Sequence, residues 1–273
     1  PLSSETATSV YMMILPGEQS ENLQIAVKID GNWKEMSKAQ PTGGFVRGKK
    51  YVVELNTGGM SANVLTDSRD GKTYSYKTIG TQVWMTENLA YLPSVVGSGT
   101  GSASTAYYYV YGYDGTDVAT AKATANYTTY GVLYNWTAAM NGVASSDSNP
   151  SGVQGACPEG WHLPSDAEWT TLSDYLGGIS YAGGKLKEAG TAHWNSPNTG
   201  ATNESGFTAL PGGSRGSNGR FRRVGVSGYW WSSTERSTDN AWSRDLSYDN
   251  STVNRRNSDK VSGFSVRCLR DED

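Results

Sequence analysis

Two cysteines constrain this chain more than any other feature. Cys157 sits in Gly155-Ala156-Cys157-Pro158-Glu159-Gly160-Trp161-His162-Leu163-Pro164-Ser165, and Cys268 closes Gly263-Phe264-Ser265-Val266-Arg267-Cys268 near the end. A bond between them would tie the start of a domain to its last strand, leaving a long polar excursion free to present side chains to a ligand. Both occupy strand-like or turn-like contexts, with no Cys-x-x-Cys and no neighbour that would stabilise a thiolate. A structural disulfide is the favoured reading, and two buried free thiols are the alternative. Closing so long a loop stabilises by roughly 4–5 kcal/mol in chain-entropy terms. A disulfide also implies export to an oxidising space.

The composition suits strands, turns and contact surfaces. The 273 residues include 33 Gly, 17 Tyr and 9 Trp, with only 18% charged. A net charge of −3 argues against nucleic acid as a partner, because phosphate binding needs concentrated Lys and Arg. No apolar run reaches the roughly 18 residues that a membrane span requires. The chain opens at Pro1 without Met or an export-type leader. It is expected to be a processed or trimmed form, with any export signal or lipid anchor lying outside it.

Two domains are expected, over residues 1–58 and 59–273. In the first, the apolar run Val10-Tyr11-Met12-Met13-Ile14-Leu15 stops at Pro16-Gly17. Leu23, Ile25, Val27 and Ile29 then alternate with polar or small residues up to an Asp30-Gly31 turn, and Tyr51-Val52-Val53-Glu54-Leu55 supplies a further strand. The junction falls at Asn56-Thr57-Gly58-Gly59. In the second domain, Asp70-Gly71 marks a turn among short strands around 72–79 and 82–85. Segment 94–106 reads as an exposed loop. Its Gly97-x-Gly99-x-Gly101 neither follows a strand nor opens a helix, as a nucleotide fingerprint must. A short helix is expected over 132–140.

The clearest helix begins after Ser165, where Ser165 and Glu168 form a capping box. Trp169, Leu172 and Leu176 then share one face, and Gly177 ends the element. Further on, Trp242, Arg244, Leu246 and Tyr248 alternate with Ser243, Asp245 and Ser247. If Trp242 and Leu246 pack inward, Ser243, Asp245 and Ser247 form an outward polar row. At least one of Trp230 and Trp231 should be core, with Tyr229 more exposed. A last strand is expected over 264–269.

Several motifs occur in order: Gly71-Lys72-Thr73-Tyr74, Gln82-Val83-Trp84-Met85-Thr86-Glu87-Asn88-Leu89, Leu133-Tyr134-Asn135-Trp136, the Cys157–Ser165 block, Gly184-Lys185-Leu186-Lys187, Gly228-Tyr229-Trp230-Trp231-Ser232-Ser233 and the ending at Cys268. Together they closely resemble the Fibrobacter succinogenes major paralogous domain, common in surface proteins of gut Bacteroides-type bacteria. The resemblance covers about residues 65–271. It implies an α+β, C-type-lectin-like fold of the formylglycine-generating-enzyme subclass, with a small twisted antiparallel sheet, flanking helices and termini brought together. Residues 1–58 resemble the closing strands of a fimbrillin-like pilin domain. The pair of resemblances implies a fimbrial tip subunit, with fimbrial subunits as partners and the lectin-like domain as an outward adhesin on the cell surface.

The ending also resembles the variable region of retroelement-diversified proteins, whose adenine-rich codons yield Asn, Ser, Tyr, Asp, Thr and Arg. Arg236, Ser237, Thr238, Asp239 and Asn240 fit, as do Ser243, Asp245, Ser247, Asp249, Asn250, Asn254, Arg256 and Asn257. An ordinary solvated turn region is the alternative.

Catalysis finds little support. Formylglycine-generating activity needs a reactive cysteine pair or copper site near a groove, and no third cysteine exists. His162 reads as a hydrogen-bonded structural imidazole beside the helix cap, and His193 as a loop residue. Zinc lacks its three or four N/S ligands. The Glu-Pro-Asn and Trp-Asn-Asp tripeptides of calcium-dependent lectins are absent, Asp239-Asn240 and Asp249-Asn250 reading as turns. No carboxylate pair suits glycoside hydrolysis. No cofactor is expected. The chain is expected to be a non-catalytic binding protein, with an unknown protein or glycan as ligand; a structural surface module is the rival. Contact is expected through the row 243–247, the loop holding Arg236, Asp239 and Asn240, and the segment with Asp249, Asn250, Asn254, Arg256 and Asn257. Arg215, Arg220, Arg222 and Tyr229 complete the expected surface.

Overall fold

Neighbouring residues on a strand point to opposite faces, yet Trp230 and Trp231 are both buried. The strand that carries them is covered on two sides, and the domain is organised around it. The computed structural model describes residues 61–271 together with the strands at 23–29 and 32–38. It divides into two compact units between Asn63 and Val64.

In the first unit, β1 (Leu23–Ile29) and β2 (Asn32–Lys38) pair antiparallel with Ile29 opposite Asn32, and β3 (Ser61–Ala62) adds beside β2. The alternation over 23–29 is thus realised as a strand. The apolar run at 10–15, the Asp30-Gly31 pair, the strand expected at 51–55 and the junction at 56–59 lie outside the described residues.

The second unit is α+β and mostly sheet. One five-stranded sheet contains β4 (Val64–Thr66), β5 (Thr73–Ile79), β6 (Gln82–Met85), β9 (Trp161–His162) and β15 (Leu269–Arg270), in the order β4-β5-β6-β15-β9. A two-stranded pair joins β7 (Tyr108–Tyr109) to β8 (Leu133–Tyr134). The second five-stranded sheet holds β10 (Gly212–Arg215), β11 (Phe221–Val224), β12 (Ser227–Glu235), β13 (Asn240–Ser247) and β14 (Asn254–Asp259), in the order β11-β10-β12-β13-β14. Its β10/β12 pairing is parallel, so this sheet is mixed, while the pairings of the first are antiparallel; the domain holds two five-stranded sheets rather than one small antiparallel sheet. The helices are short: α1 (Val118–Lys122), α2 (Ala125–Tyr130), α3 (Trp136–Met140), α4 (Asp166–Tyr175) and α5 (Ile179–Leu186). No described helix is long and apolar enough to cross a membrane.

The disulfide forms, joining Cys157 to Cys268 with both residues fully buried. Its location explains what it does. Strand β15 slots between β6 and β9, with Leu269 opposite Trp84 on one side and His162 on the other. The link therefore sits where the end of the chain docks against earlier segments. Of the expected last strand over 264–269, only Leu269 joins this ladder, with Arg270 continuing it. Phe264 and Ser265 make isolated bridges to Tyr134 and Trp230.

Strand β12 separates two cores. On one face, Trp231 meets Phe264 (ring centroids 4.4 Å apart) in a cluster with Tyr134, Trp161, Val266 and the disulfide. On the other, Trp230 joins Trp84, Trp169 and Phe207, with Trp84 and Trp169 4.8 Å apart. Truncating a buried Trp of this kind to Ala costs about 3–5 kcal/mol.

Helix α4 follows its local signals. Ser165 accepts from the Glu168 amide while the Glu168 carboxylate accepts from the Ser165 amide. Trp169, Leu172 and Leu176 are buried, and Gly177 takes a φ of 98° that lets the chain turn into α5. Over 132–140 the helix is shorter than expected: 133–134 is strand, and Asn135 caps α3. Asn135 also accepts from the Tyr107 amide and donates to the Ser102 and Thr105 carbonyls, fastening the exposed 94–106 loop.

Buried cations hold the other irregular segments, whose carbonyls need donors. Lys187 donates to the carbonyls of Thr199, Ser247 and Asn250 at 2.9–3.0 Å. Burial pulls its pKa down to about 8, with Asp249 acting in the opposite direction. Arg267 donates to the carbonyls of Phe207 and Met85 and to Asn88 Oδ1, and burial pushes its pKa down to about 9.

Candidate functional site

The outward polar row expected on β13 does not form. Ser243 is 0% exposed and Asp245 4%, while Ser247 is half-buried. With β12 on one side and β14 on the other, β13 is an interior strand, and Ser243, Asp245, Arg244 and Leu246 are buried on its two faces. Ser243 and Asp245 are cross-strand neighbours of Trp231 and Tyr229, whose rings pack on Phe264. Ser243 Oγ lies 2.8 Å from Ser258 Oγ. Asp245 accepts from Arg256 Nε at 2.7 Å and from Asn254 Nδ2 at 2.9 Å. The opposite face carries Arg244, which is buried and paired with Asp166 in the first turn of α4.

Arg215 also departs from expectation. It is buried, and its guanidinium donates to the carbonyls of Ser98 (2.8 Å), Val261 (2.9 Å) and Thr100 (3.0 Å), lying over the Tyr109 ring. It clamps the glycine-rich loop and is not available to a ligand. Gly97-x-Gly99-x-Gly101 thus belongs to that clamp, with no helix opening behind it.

The remaining expected residues are exposed or partly so, but they do not converge. Arg220 and Arg222 are exposed at or beside β11, with Arg222 held by Asn218 Oδ1. Strand β11 is one edge of the sheet and β14 the other, so β10, β12 and β13 stand between them. Along β13, eight residues span about 26 Å. Arg236 and Asp239 lie in the turn before it and Asn240 is its first residue; Asp249 and Asn250 lie in the turn at its end, where Asn250 Nδ2 donates to Asp249 Oδ1. Tyr229 is half-buried and stacked on Phe264, 5.1 Å between centroids.

One group shares a single element, edge strand β14, alternating between its two faces. Asn254, Arg256 and Asn257 share this strand with Arg255, which the sequence reading did not select. Arg255 lies 3.3 Å over the Trp242 ring and pairs with Asp166 through Nε and Nη2. Arg236, from the adjoining turn, approaches the same ring at 5.6 Å. Burial raises the Asp166 pKa, but Arg255 and Arg244 outweigh it and hold the carboxyl below the usual range. The Asp245 carboxylate in turn raises the pKa of Arg256. Consecutive residues of β14 point to opposite faces, so Arg255 projects on the Arg244 side of the sheet edge and Arg256 on the Ser243 side, their side chains 46% and 59% exposed, each oriented by a carboxylate that is itself buried. Arg255-Arg256 was readable as a basic doublet; Asp166 as its anchor was not, since 89 positions separate the partners.

The family model of the Fibrobacter succinogenes major domain matches residues 78–270. The chain belongs to this family. No curated protein and no solved structure matches it. The Fibrobacter succinogenes major domain as matched begins inside β5 and ends in β15, so it includes both cysteines, the whole β10–β14 sheet and the Arg255–Arg256 edge.

Within the domain the two histidines occupy different settings. His162 is buried, with Nε2 2.8 Å from Glu168 Oε1 and Nδ1 2.6 Å from Asp271 Oδ1. Burial lowers its pKa, but Glu168 and Asp271 more than compensate and the net shift is upward. His193 lies partly exposed in a loop, its Nδ1 within 3.0 Å of both Glu188 oxygens.

Proposed function

We propose that this chain is a non-catalytic cell-surface binding subunit, an adhesin of the fimbrial-tip kind. Its C-terminal domain, read as C-type-lectin-like, takes a protein or glycan ligand along β14 and the adjoining 235–240 turn. The family membership supports a surface-associated module. The lectin-like reading draws support from the way β15 returns between β6 and β9 and brings the ends of the domain together. The fimbrillin-like assignment of residues 1–58, the diversified character of 235–259 and the extracellular location remain parts of the same proposal.

One observation carries the reading. Arg255 and Arg256 are fixed by Asp166 and Asp245 yet remain 46% and 59% exposed on the two faces of the β14 edge, so little side-chain entropy is lost when a ligand binds around that edge. A second reading, a structural surface module without a ligand, draws on the same edge, because charged side chains also guard exposed strands against unwanted pairing.

An array of glycans and cell-surface proteins, probed with the full chain and with Arg256→Ala/Asn257→Ala, tests the proposal. Specific capture by the parent chain, lost in the folded variant, is expected. An array on which the parent chain captures nothing favours the structural module.

A further inference from the structure

A buried imidazole between two carboxylates stands apart from the candidate edge. His162 bridges Glu168 of α4 and Asp271, the residue that follows β15. A cavity of about 250 Å³ opens beside it, walled by Gln82, Asn149, Pro150, Leu269 and Asp271.

The three side chains are not equivalent. Glu168 is buried and spends its second oxygen on the Ser165 amide in the capping box, so it cannot leave without opening the helix start. Asp271 has a side chain 54% exposed and can exchange the imidazole for water. Its backbone amide donates to Gly160 O at 3.0 Å. With both ring nitrogens and both Glu168 oxygens engaged, the cluster offers no ligand set for a metal, and no metal-binding group occurs among the described residues.

An imidazolium has two N–H donors and satisfies both carboxylates. A neutral imidazole has one donor, and its other nitrogen then presents a lone pair to a carboxylate oxygen at hydrogen-bond distance. One contact must yield, and the exposed partner yields first. We propose that His162 is a proton-operated latch that fastens the C-terminal segment at Asp271 and releases it when the imidazole loses its proton.

The other groups around the ring leave this balance intact. On α4, Asp166 is turned to Arg244 and Arg255. On β15, Arg270 also lines the cavity, its guanidinium lying 5.6 Å over the Tyr76 ring. From β6, Gln82 is uncharged and donates to the Glu168 carbonyl. The loop at 149–150 contributes no charge, and Asn149 bonds Thr171.

The sign follows from the raised pKa. The latch is closed below the unfolded-state value near 6.5 and is lost as pH rises through the higher folded value. Glu168 supplies the larger share of the upward shift; only the share from Asp271 measures how much more tightly the protonated ring holds the tail, tenfold per unit.

The test uses the full chain, whose two histidines make the assignment simple. The His162 ring signals are titrated by NMR, and exchange of the Leu269, Arg270 and Asp271 amides is followed at each pH after correction for intrinsic rates. The expected result is titration above 6.5, with a loss of Asp271 protection across it. In Asp271→Asn, a substitution at a half-exposed position, the titration should move down and protection should lose its pH dependence. Titration at or below 6.5, protection that stays flat across the titration, or parental behaviour in Asp271→Asn would overturn the latch.

Discussion

Replacing both cysteines, as Cys157→Ala/Cys268→Ala, tests how the domain holds its own end in place. The link closes a loop of 111 positions, for which the loss of denatured-state entropy is worth about 5 kcal/mol. In a unit of this size, each kcal/mol moves Tm by about 2–4 °C, so a drop of about 10–20 °C is expected. The structure adds a local consequence. Cys268 precedes Leu269, the residue that bridges β6 and β9, and its carbonyl accepts from the Met85 amide. Without the link, the end of the chain is held by Val266, Leu269, the Arg267 hydrogen bonds, the His162–Asp271 contact and a few ladder bonds, and it should open before the rest. Urea denaturation of the double variant should show the stability loss. Hydrogen exchange should show protection at 266–271 falling further than protection in β12 and β13. Chemical reduction of the parent chain should reproduce both effects without the small cavity that the alanines leave. A loss below about 1 kcal/mol, or exchange that rises uniformly, would show that packing alone keeps the end docked and would refute the argument.

Other substitutions separate buried from exposed charge. Asp166→Ala leaves Arg244 buried without its carboxylate and should cost about 3–5 kcal/mol, whereas Arg255→Ala at the exposed end of the same cluster should cost about 1 kcal/mol or less; urea midpoints distinguish them. Because the Asp166 pKa is lowered in the fold, its contribution is present above about pH 4 and disappears as pH falls through the folded value, so the Asp166→Ala difference should shrink in acid. Asn135→Ala removes the α3 cap and both donors that hold the 102 and 105 carbonyls. It should cost about 2–4 kcal/mol, and limited proteolysis should then cut within 94–106.

The parts of this domain that are legible in its sequence are those governed by neighbouring residues. The capping box at Ser165 and Glu168, the Trp169–Leu172–Leu176 stripe and the Gly177 stop each act within a few positions, and α4 follows them. The alternation over 242–248 marks a strand correctly. It does not tell which face meets water, because alternation has a sense only when one face is solvated. Trp230-Trp231 carried the missing signal: two adjacent buried aromatics imply cover on both faces, and a strand paired beside them inherits that cover. Ser243 and Asp245 are buried for this reason. Arg215, Arg267 and Lys187 were less readable, since their partners are backbone carbonyls of distant loops that no side-chain pattern announces. The site residues on β11 and β14 are separated by the sheet order, which local pattern does not fix.

Ligand capture by two double variants, compared at opposite edges of one sheet, tests the central proposal most directly. Arg255→Ala/Arg256→Ala removes the guanidinium pair on β14 and leaves Asp166 with Arg244 and Asp245 with Asn254, so the fold should persist. Arg220→Ala/Arg222→Ala removes exposed cations at the β11 edge. The account predicts that the first variant loses about tenfold to a hundredfold in affinity for the array-selected ligand while the second binds as the parent chain does. Undiminished binding by the β14 variant, or a loss confined to the β11 variant, would contradict it.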